Sequence, residues 1–290
     1  MTQLDFEQQL EIAAQIVAET SYLIALVGAG LSKESGIPTF RGGDGLWDRY
    51  GEPPLNDYQR FLTDPAGWWA ERLAQQESAS GGEFAKAIEE AKPNPGHVAL
   101  AEMERLRFLK HLITQNIDDL HQQAGSVAIT EIHGNRTKQR CIGCGRRWKR
   151  EEFLSDPSTL LRAGEVPPRC PHCGELVKND TVMFGEPIPR DALESCFREA
   201  QRADAVLLAG TSAVVYPAAE FPITAYRRGA RLIEVNPQET PLSAISSAVL
   251  RAPSGQALPQ LVGRVRALPP KADPPPAEVA GPFDSAQGKR

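Results

Sequence analysis

At 290 residues and 41% hydrophobic content the chain is long enough for one large domain, or a large and a small one, around a substantial core, so disorder is excluded as the default. A formal charge of −5, with basic and acidic residues interleaved, excludes recruitment of nucleic acid or an anionic membrane by bulk electrostatics. No apolar stretch approaches the roughly 20 residues needed to span a bilayer, and the acidic, helix-patterned N-terminus is unlike a signal peptide, so a cytoplasmic protein is expected.

Phe6, Leu10, Ala13 and Val17 recur at helical spacing and predict an opening amphipathic helix before a strand at Tyr22–Val27. The turn that follows, Gly28-Ala29-Gly30, would let backbone N–H groups approach a pyrophosphate at a helix start. Taken alone it is equally a tight strand-to-helix connection that needs permissive dihedrals. Lys33 stands where a dinucleotide fingerprint has its third glycine, so a dinucleotide would bind in a variant pose.

After a Trp-, Pro- and polar-rich stretch at 41–93, Asn94 followed by Pro95 signals a helix through about Arg105, and "FLKHLIT" (108–114) reads as the next buried strand. Further strands are expected at "SVAITEI" (126–132), "DAVLLAG" (204–210) and "ARLIEV" (230–235), with helices at 190–203 and 217–229. This β-α-β alternation predicts an α/β fold, a doubly wound, Rossmann-like parallel sheet with helices on both faces. Residues 41–93 and 134–185 interrupt it and are expected to form a smaller domain beside the sheet. The C-terminal segment, from about residue 266, has too few large apolar residues to offset its ordering entropy and is expected to be a disordered tail.

Ligands of open parallel sheets bind beyond the carboxyl ends of the strands. Those positions hold Gly28-Ala29-Gly30, then Gln115, Asn116 and Asp118, then His133-Gly134, then Gly210-Thr211-Ser212, then Asn236. His133 at a strand end suits a general base, although a single histidine is as readily a cap or core residue. Asn116 and Asp118 could equally form a turn, and Thr211 and Ser212 could cap a helix.

The cysteines carry a sharper signal. Cys141 and Cys144, 25 intervening residues, then Cys170 and Cys173 form two C-x-x-C pairs suited to a tetrahedral four-thiolate zinc site. Four thiolates leave no open coordination position, so this zinc is expected to hold the small domain together rather than activate water. His172 is not needed as a ligand, and Cys196 reads as a small buried apolar residue.

The set "GAGLSKESGIPTFRG", "TQNIDDLH", "EIHGN", the two cysteine pairs, "VMFGE" and "GTSAVVYPA" closely resembles the sirtuins, the NAD-dependent protein lysine deacylases, over residues 5 to 265. The resemblance implies a Rossmann-like NAD-binding domain at 1–40, 94–133 and 186–265, a helical module at 41–93 and a zinc-binding module at 134–185, with the active site in the cleft between domains. It implies attack of an acyl-lysine carbonyl oxygen on the nicotinamide ribose, loss of nicotinamide and transfer of the acyl group to ADP-ribose, with His133 as catalytic base.

On the same basis Asn116 and Asp118 would position the nicotinamide and its ribose for cleavage. Cofactor contacts would come from Gly28, Ala29, Gly30, Ser32, Thr39, Phe40, Arg41, Gln115, Asn116, Ile117, Asp118, Gly210, Thr211, Ser212, Asn236 and Ser254. Val182, Phe184, Gly185 and Glu186 would pair with the substrate peptide as an added strand. One sirtuin subset recognises acidic acyl groups through Tyr-x-x-Arg; the nearest match here is Trp69-x-x-Arg72, which keeps the cation and lacks the hydroxyl, and a Trp packed in the module is an equal reading. Deacetylation is therefore the expected main activity, with desuccinylation or longer acyl removal as alternatives. Asn179, where many relatives carry Pro, is a second departure.

Three rival readings have their own discriminators. Protein ADP-ribosylation would leave labelled ADP-ribose on protein. A zinc-ribbon binder of nucleic acid would draw on the seven Lys or Arg residues within 135–150, against the acidic total charge. A plain NAD dehydrogenase is weakened by Lys33 in the fingerprint.

Overall fold

The computed structural model describes residues 5–41, 45–52, 55–77, 83–153 and 167–267; the expected tail, from residue 268 on, lies outside the described residues. Helix α1 (Phe6–Glu19) opens on a capping box in which the Asp5 carboxylate accepts the Gln8 amide and the Gln8 side chain accepts that of Asp5. Strand β1 (Leu23–Val27) runs into a four-residue helix α2 (Ala29–Ser32) and a 3₁₀ turn at Lys33–Ser35.

Short helices α3 (Leu46–Tyr50), α4 (Asp57–Thr63), α5 (Pro65–Glu77) and α6 (Glu83–Glu90) fill the first interruption. Helix α7 (Pro95–Arg105) begins where Asn94 and Pro95 predict, because Asn94 Oδ1 accepts the Gly96 amide and Pro95 has no N–H to leave unsatisfied. Strand β2 (Leu109–Thr114), helix α8 (Leu120–Gln123) and strand β3 (Ile129–Glu131) follow. The third strand is shorter than the apolar run suggests.

In the second interruption, β4 (Lys138–Cys141), β5 (Arg147–Lys149) and β6 (Val177–Asn179) form an antiparallel sheet of order β5-β4-β6, with α9 (Arg150–Phe153) after β5. The chain then alternates through α10 (Arg190–Arg202), β7 (Ala205–Ala209), α11 (Glu220–Arg227), β8 (Arg231–Val235), β9 (Ala248–Leu250) and α12 (Ser254–Arg266). The sequence reading assigns no element to β9 or α12.

The main sheet is parallel, in the order β3-β2-β1-β7-β8-β9. Strand side chains alternate between its faces, so a strand buried on both sides reads as an unbroken apolar run. Leu23, Ala25 and Val27 of β1 pack with α1, α7 and α12 on one face. Ile24 and Leu26 pack with α10 and α11, through Cys196, Ala200, Phe221 and Ala225, on the other. Strand order reverses between β1 and β7, which opens a crevice at their carboxyl ends.

The small sheet and the short helices share a third core. Phe61, Trp68, Trp69 and Met183 are buried together, and the Trp69 indole N–H donates to the Val177 carbonyl at 3.2 Å, joining α5 to β6. No helix among the described residues is long and apolar enough to cross a membrane.

Candidate active site at the reversal of strand order

The turn after β1 is locked to the turn after β7. Gly28 N–H donates to the Ala209 carbonyl and Gly30 N–H to the Gly210 carbonyl, at 3.2 and 2.8 Å. A Cβ on Gly30 would lie 2.7 Å from the Gly210 oxygen, and one on Gly210, whose φ is +59°, would lie 2.1 Å from the Leu31 nitrogen. Close backbone approach therefore fixes glycine here.

Gly210→Ala is expected to lower stability by about 2–5 kcal/mol, adding left-handed strain to overpacking. Gly263→Ala, on the exposed face of α12 with nothing within 4 Å of the added methyl, should be neutral or stabilising by about 0.5–1 kcal/mol. Denaturant unfolding of the two variants side by side measures both.

Polar side chains from β1, β2, β3 and β7 converge above this knot. Gln115 Nε2 donates to Thr211 Oγ1 at 2.9 Å, and Asn116 Nδ2 donates to the Gly28 carbonyl and to Ser32 Oγ at 3.2 and 3.0 Å. The Ser32 hydroxyl in turn donates to Asp118 Oδ2 at 2.7 Å, and the Leu120 amide donates to Oδ1 at 3.1 Å. Burial pushes the Asp118 carboxyl up from the usual range, while both of these donors favour its ionised form.

His133 stands after β3 with Nδ1 3.0 Å from the Gln115 carbonyl oxygen. A carbonyl only accepts, so Nδ1 carries the proton and Nε2 of the neutral ring keeps its lone pair. Burial lowers the imidazole pKa, against the opposing effect of this hydrogen bond. Neutral at physiological pH, tautomerically fixed and bonded to the backbone of Gln115, the residue before Asn116, the ring is equipped to take a proton at Nε2.

The sequence reading missed two histidines behind these groups. His97 Nε2 is 3.4 Å from Ser32 Oγ, and its ring lies 4.8 Å, centroid to centroid, from that of His121. Burial pulls the two down to about 4 and about 3, so both are neutral. Their signal was hidden because "NPGH" reads as a helix start and "DDLH" as a turn.

Asn236 reaches the same region from β8: its Nδ2 donates to the Thr211 carbonyl at 3.0 Å, and Arg251 donates to the Asn236 and Gln238 carbonyls at 3.2 and 2.8 Å. Ser254 opens α12 with a buried hydroxyl, next to Gly255, whose amide donates to Glu34. Ala29 starts α2, Ser212 is exposed beside Thr211, and Ile117 packs near Ile37, Ile88 and Leu120. Thr39 and Phe40 accept the Leu46 and Trp47 amides. The Phe40 ring is 5.5 Å from Trp47 and 5.4 Å from Phe84, and the Arg41 guanidinium lies 4.3 Å over Trp47 while pairing with Glu52. Trp47 also meets Phe184 edge-on at 5.8 Å, so an aromatic cluster connects the loop after α2 to the 182–186 segment.

That segment is irregular and stands outside both sheets, between β6 and α10. The Val182 amide donates to the His133 carbonyl at 2.9 Å, the Phe184 carbonyl accepts the Tyr58 amide at 3.1 Å, Gly185 follows with φ +79°, and Glu186 Oε2 accepts the Met183 amide at 2.8 Å. Trp69 is buried in the third core, the packed-Trp reading of that spacing, and Arg72 pairs with Asp57 at 3.3 Å over the face of Trp68.

The four cysteine sulfurs lie within 4.8 Å of one another, with Cys141 to Cys173 at 3.4 Å and Cys144 to Cys170 at 3.7 Å. A tetrahedral zinc with bonds of about 2.3 Å spaces its sulfurs by about 3.8 Å, so the donor set fits zinc in number, type and size. The Cys144 and His172 amides donate to the sulfurs of Cys141 and Cys170, at 3.4 Å each. The basic run beside it is largely neutralised: Arg136 pairs with Glu89, Lys138 with Glu131, Arg140 with Asp180 and Glu186, and Arg147 with Asp180 and Asp191. This weakens the nucleic-acid reading.

A family model described as the Sir2 family matches residues 28–217. The chain is 44% identical over 253 residues to NAD-dependent protein deacylase 1 of Archaeoglobus fulgidus, covering 86% of this chain and 95% of that one. It is 43% identical over 261 residues to the NAD-dependent protein deacylase of Thermococcus kodakarensis, covering 88% and 95%. Among solved structures it resembles a Sir2 homolog–NAD complex with a TM-score of 0.69 at 42% identity, covering 92% and 95%. A Sir2–p53 peptide–NAD+ complex gives a TM-score of 0.66 at 32% identity, covering 91% and 98%.

Proposed function

Given that the chain belongs to the Sir2 family, we infer that it is an NAD-dependent protein deacylase, transferring the acyl group of an acyl-lysine to ADP-ribose with release of nicotinamide. NAD, as co-substrate, supplies the ribose that accepts the acyl group. The observation that carries the reading is His133, its Nδ1 fixed on the carbonyl of Gln115, the residue that leads into the Asn116–Ser32–Asp118 chain at the reversal of strand order.

His133 is the general base, taking a proton from a ribose hydroxyl at Nε2. Asn116 and Asp118 hold nicotinamide and its ribose, and positioning alone lowers such a barrier substantially. Gly28, Ala29, Gly30, Ser32, Gln115, Ile117, Gly210, Thr211, Ser212, Asn236 and Ser254 line the cofactor path. Thr39, Phe40 and Arg41 belong to a loop that shields the reacting ribose from water. The 182–186 segment, joined to His133 through the Val182 amide, presents its backbone to the peptide in the cleft between the Rossmann-like domain (1–40, 94–133, 186–265) and the two small modules (41–93, 134–185).

Acetyl-lysine is the preferred acyl group. Arg72 is engaged by Asp57 and Trp68, and Trp69 has no free polar atom with which to bind a distal carboxylate. With matched peptides and NAD, kcat/KM for acetyl-lysine should exceed that for succinyl-lysine by about tenfold or more, the difference expected from an unpaired buried charge. Mass spectrometry following O-acyl-ADP-ribose tests the whole reading: the small-molecule product should appear in step with deacylated peptide. Label arriving on protein instead would favour ADP-ribosylation, and faster turnover of succinyl-lysine would overturn the acyl assignment.

A further inference from the structure

Behind the 182–186 segment lies a buried group of charges that zinc does not use. The Lys178 side chain is fully buried, and its ammonium donates to the Asn179 and Thr181 carbonyls at 2.8 and 2.7 Å and pairs with Glu186 Oε2 at 2.9 Å. Arg140 bridges Glu186 Oε1 and Asp180 Oδ1, and Asp180 also pairs with Arg147. Among Lys178, Arg140, Glu186 and Asp180 the formal charges cancel.

The contacts of Lys178 go to the ends of one short loop. They draw the 179 and 181 carbonyls and the 186 carboxylate toward a single point, while that carboxylate also takes the Met183 amide. The loop so closed touches the base directly: Val182 donates to the His133 carbonyl. Next to His133, Gly134 has φ +74°, and a Cβ there would fall 1.9 Å from the Asp180 oxygen. A shift of the loop therefore reaches both the peptide-pairing backbone and the residue that holds the base.

A buried ion pair is weak evidence of added stability, because desolvation offsets its attraction, but it restricts the chain to arrangements that satisfy every charge. We propose that Lys178 is a positioning residue for the peptide substrate: with Glu186 and Arg140 it shapes the Thr181–Glu186 backbone for pairing with the acyl-lysine peptide and keeps that backbone in register with His133. The proposal rests on the reading of 182–186 as the peptide-pairing segment.

Lys178→Met leaves Glu186 buried with one partner fewer and is the direct test. Lys178→Met/Glu186→Met removes both charges at similar volume and should fold even where the single variant does not. In whichever variant folds with zinc bound, peptide Kd by calorimetry and peptide KM should rise about tenfold or more and kcat should fall with the lost register, while NAD affinity stays within about threefold, a split between peptide and NAD that general destabilisation would not give. Lys178→Arg should recover most of the loss. Amide exchange at 182–186 should quicken while that of β7 stays unchanged. Unchanged peptide Kd and KM in the folded, zinc-bound double variant overturn the proposal. Absence of NAD-dependent deacylation by the wild-type chain would instead overturn the enzymatic reading, with peptide Kd and amide exchange still deciding the role of Lys178.

Discussion

His133→Ala should lower kcat/KM for deacylation by about 10² to 10⁴, the range over which a positioned general base contributes. The Nδ1 contact to the Gln115 carbonyl fixes the tautomer without carrying charge, so the loss should fall on proton transfer rather than on NAD binding. NAD affinity should stay within about threefold of wild type, because the ring is not among the groups read as holding the pyrophosphate or adenine side. The working form of the base is the neutral ring, so activity is present above the His133 pKa and falls as pH drops through it. Burial lowers that pKa from the usual value near 6.5. The acid limb of kcat/KM should therefore lie below about 6.5, with a plateau through neutrality. An acid limb above neutrality, or a His133→Ala enzyme of normal rate, would assign the base elsewhere.

The large domain was legible because strands buried on both faces read as unbroken apolar runs, and because Asn94 and Pro95 mark a helix start by their chemistry. Strand β9 and helix α12 escaped notice: "AVL" is a three-residue run, and Pro259 sits inside α12. The absent third fingerprint glycine has a geometric explanation. That glycine serves close packing of a long helix on the sheet. Here α2 ends after Ser32, the chain tightens into a 3₁₀ turn, and Lys33 points to solvent. Gly28 and Gly30 meet the Gly210 backbone instead, a long-range contact that no local pattern reports.

Candidate residues that stand singly at strand ends, His133 above all, could be picked out by position, and the structure brings Gln115, Asn116, Asp118 and Thr211 into one hydrogen-bonded group there. Lys178, Arg140 and Asp180 could not, because each is an ordinary charge in a basic or polar stretch, and only the pairing of β4 with β6 brings them together. Trp69 and Arg72 show the reverse situation: a motif-like spacing on α5 whose members pack in the core and form a local ion pair, contacts that spacing alone does not report.

Removing zinc should abolish deacylation without unfolding the large domain. Cys141 ends β4 and is fully buried, and Cys170 comes just after the bridge between Arg169 and Leu176, so the metal ties two chain segments that the small sheet alone pairs over few residues. Binding free energies of structural zinc reach about 10–16 kcal/mol in small modules, more than such a sheet can replace. Loss of β6 releases Lys178 and the 182–186 segment, and with it the Val182 link to His133. A misplacement of about 1 Å there is enough for a 10²-fold loss in rate. The main sheet, with its own two cores, should keep most of its far-ultraviolet circular dichroism in Cys141→Ser or after strong chelation. Reconstitution separates scaffold from chemistry. Because four thiolates leave the metal no open position, cadmium or cobalt should restore activity to within about twofold of zinc. A rate that followed the Lewis acidity of the metal would mean that substrate reaches it.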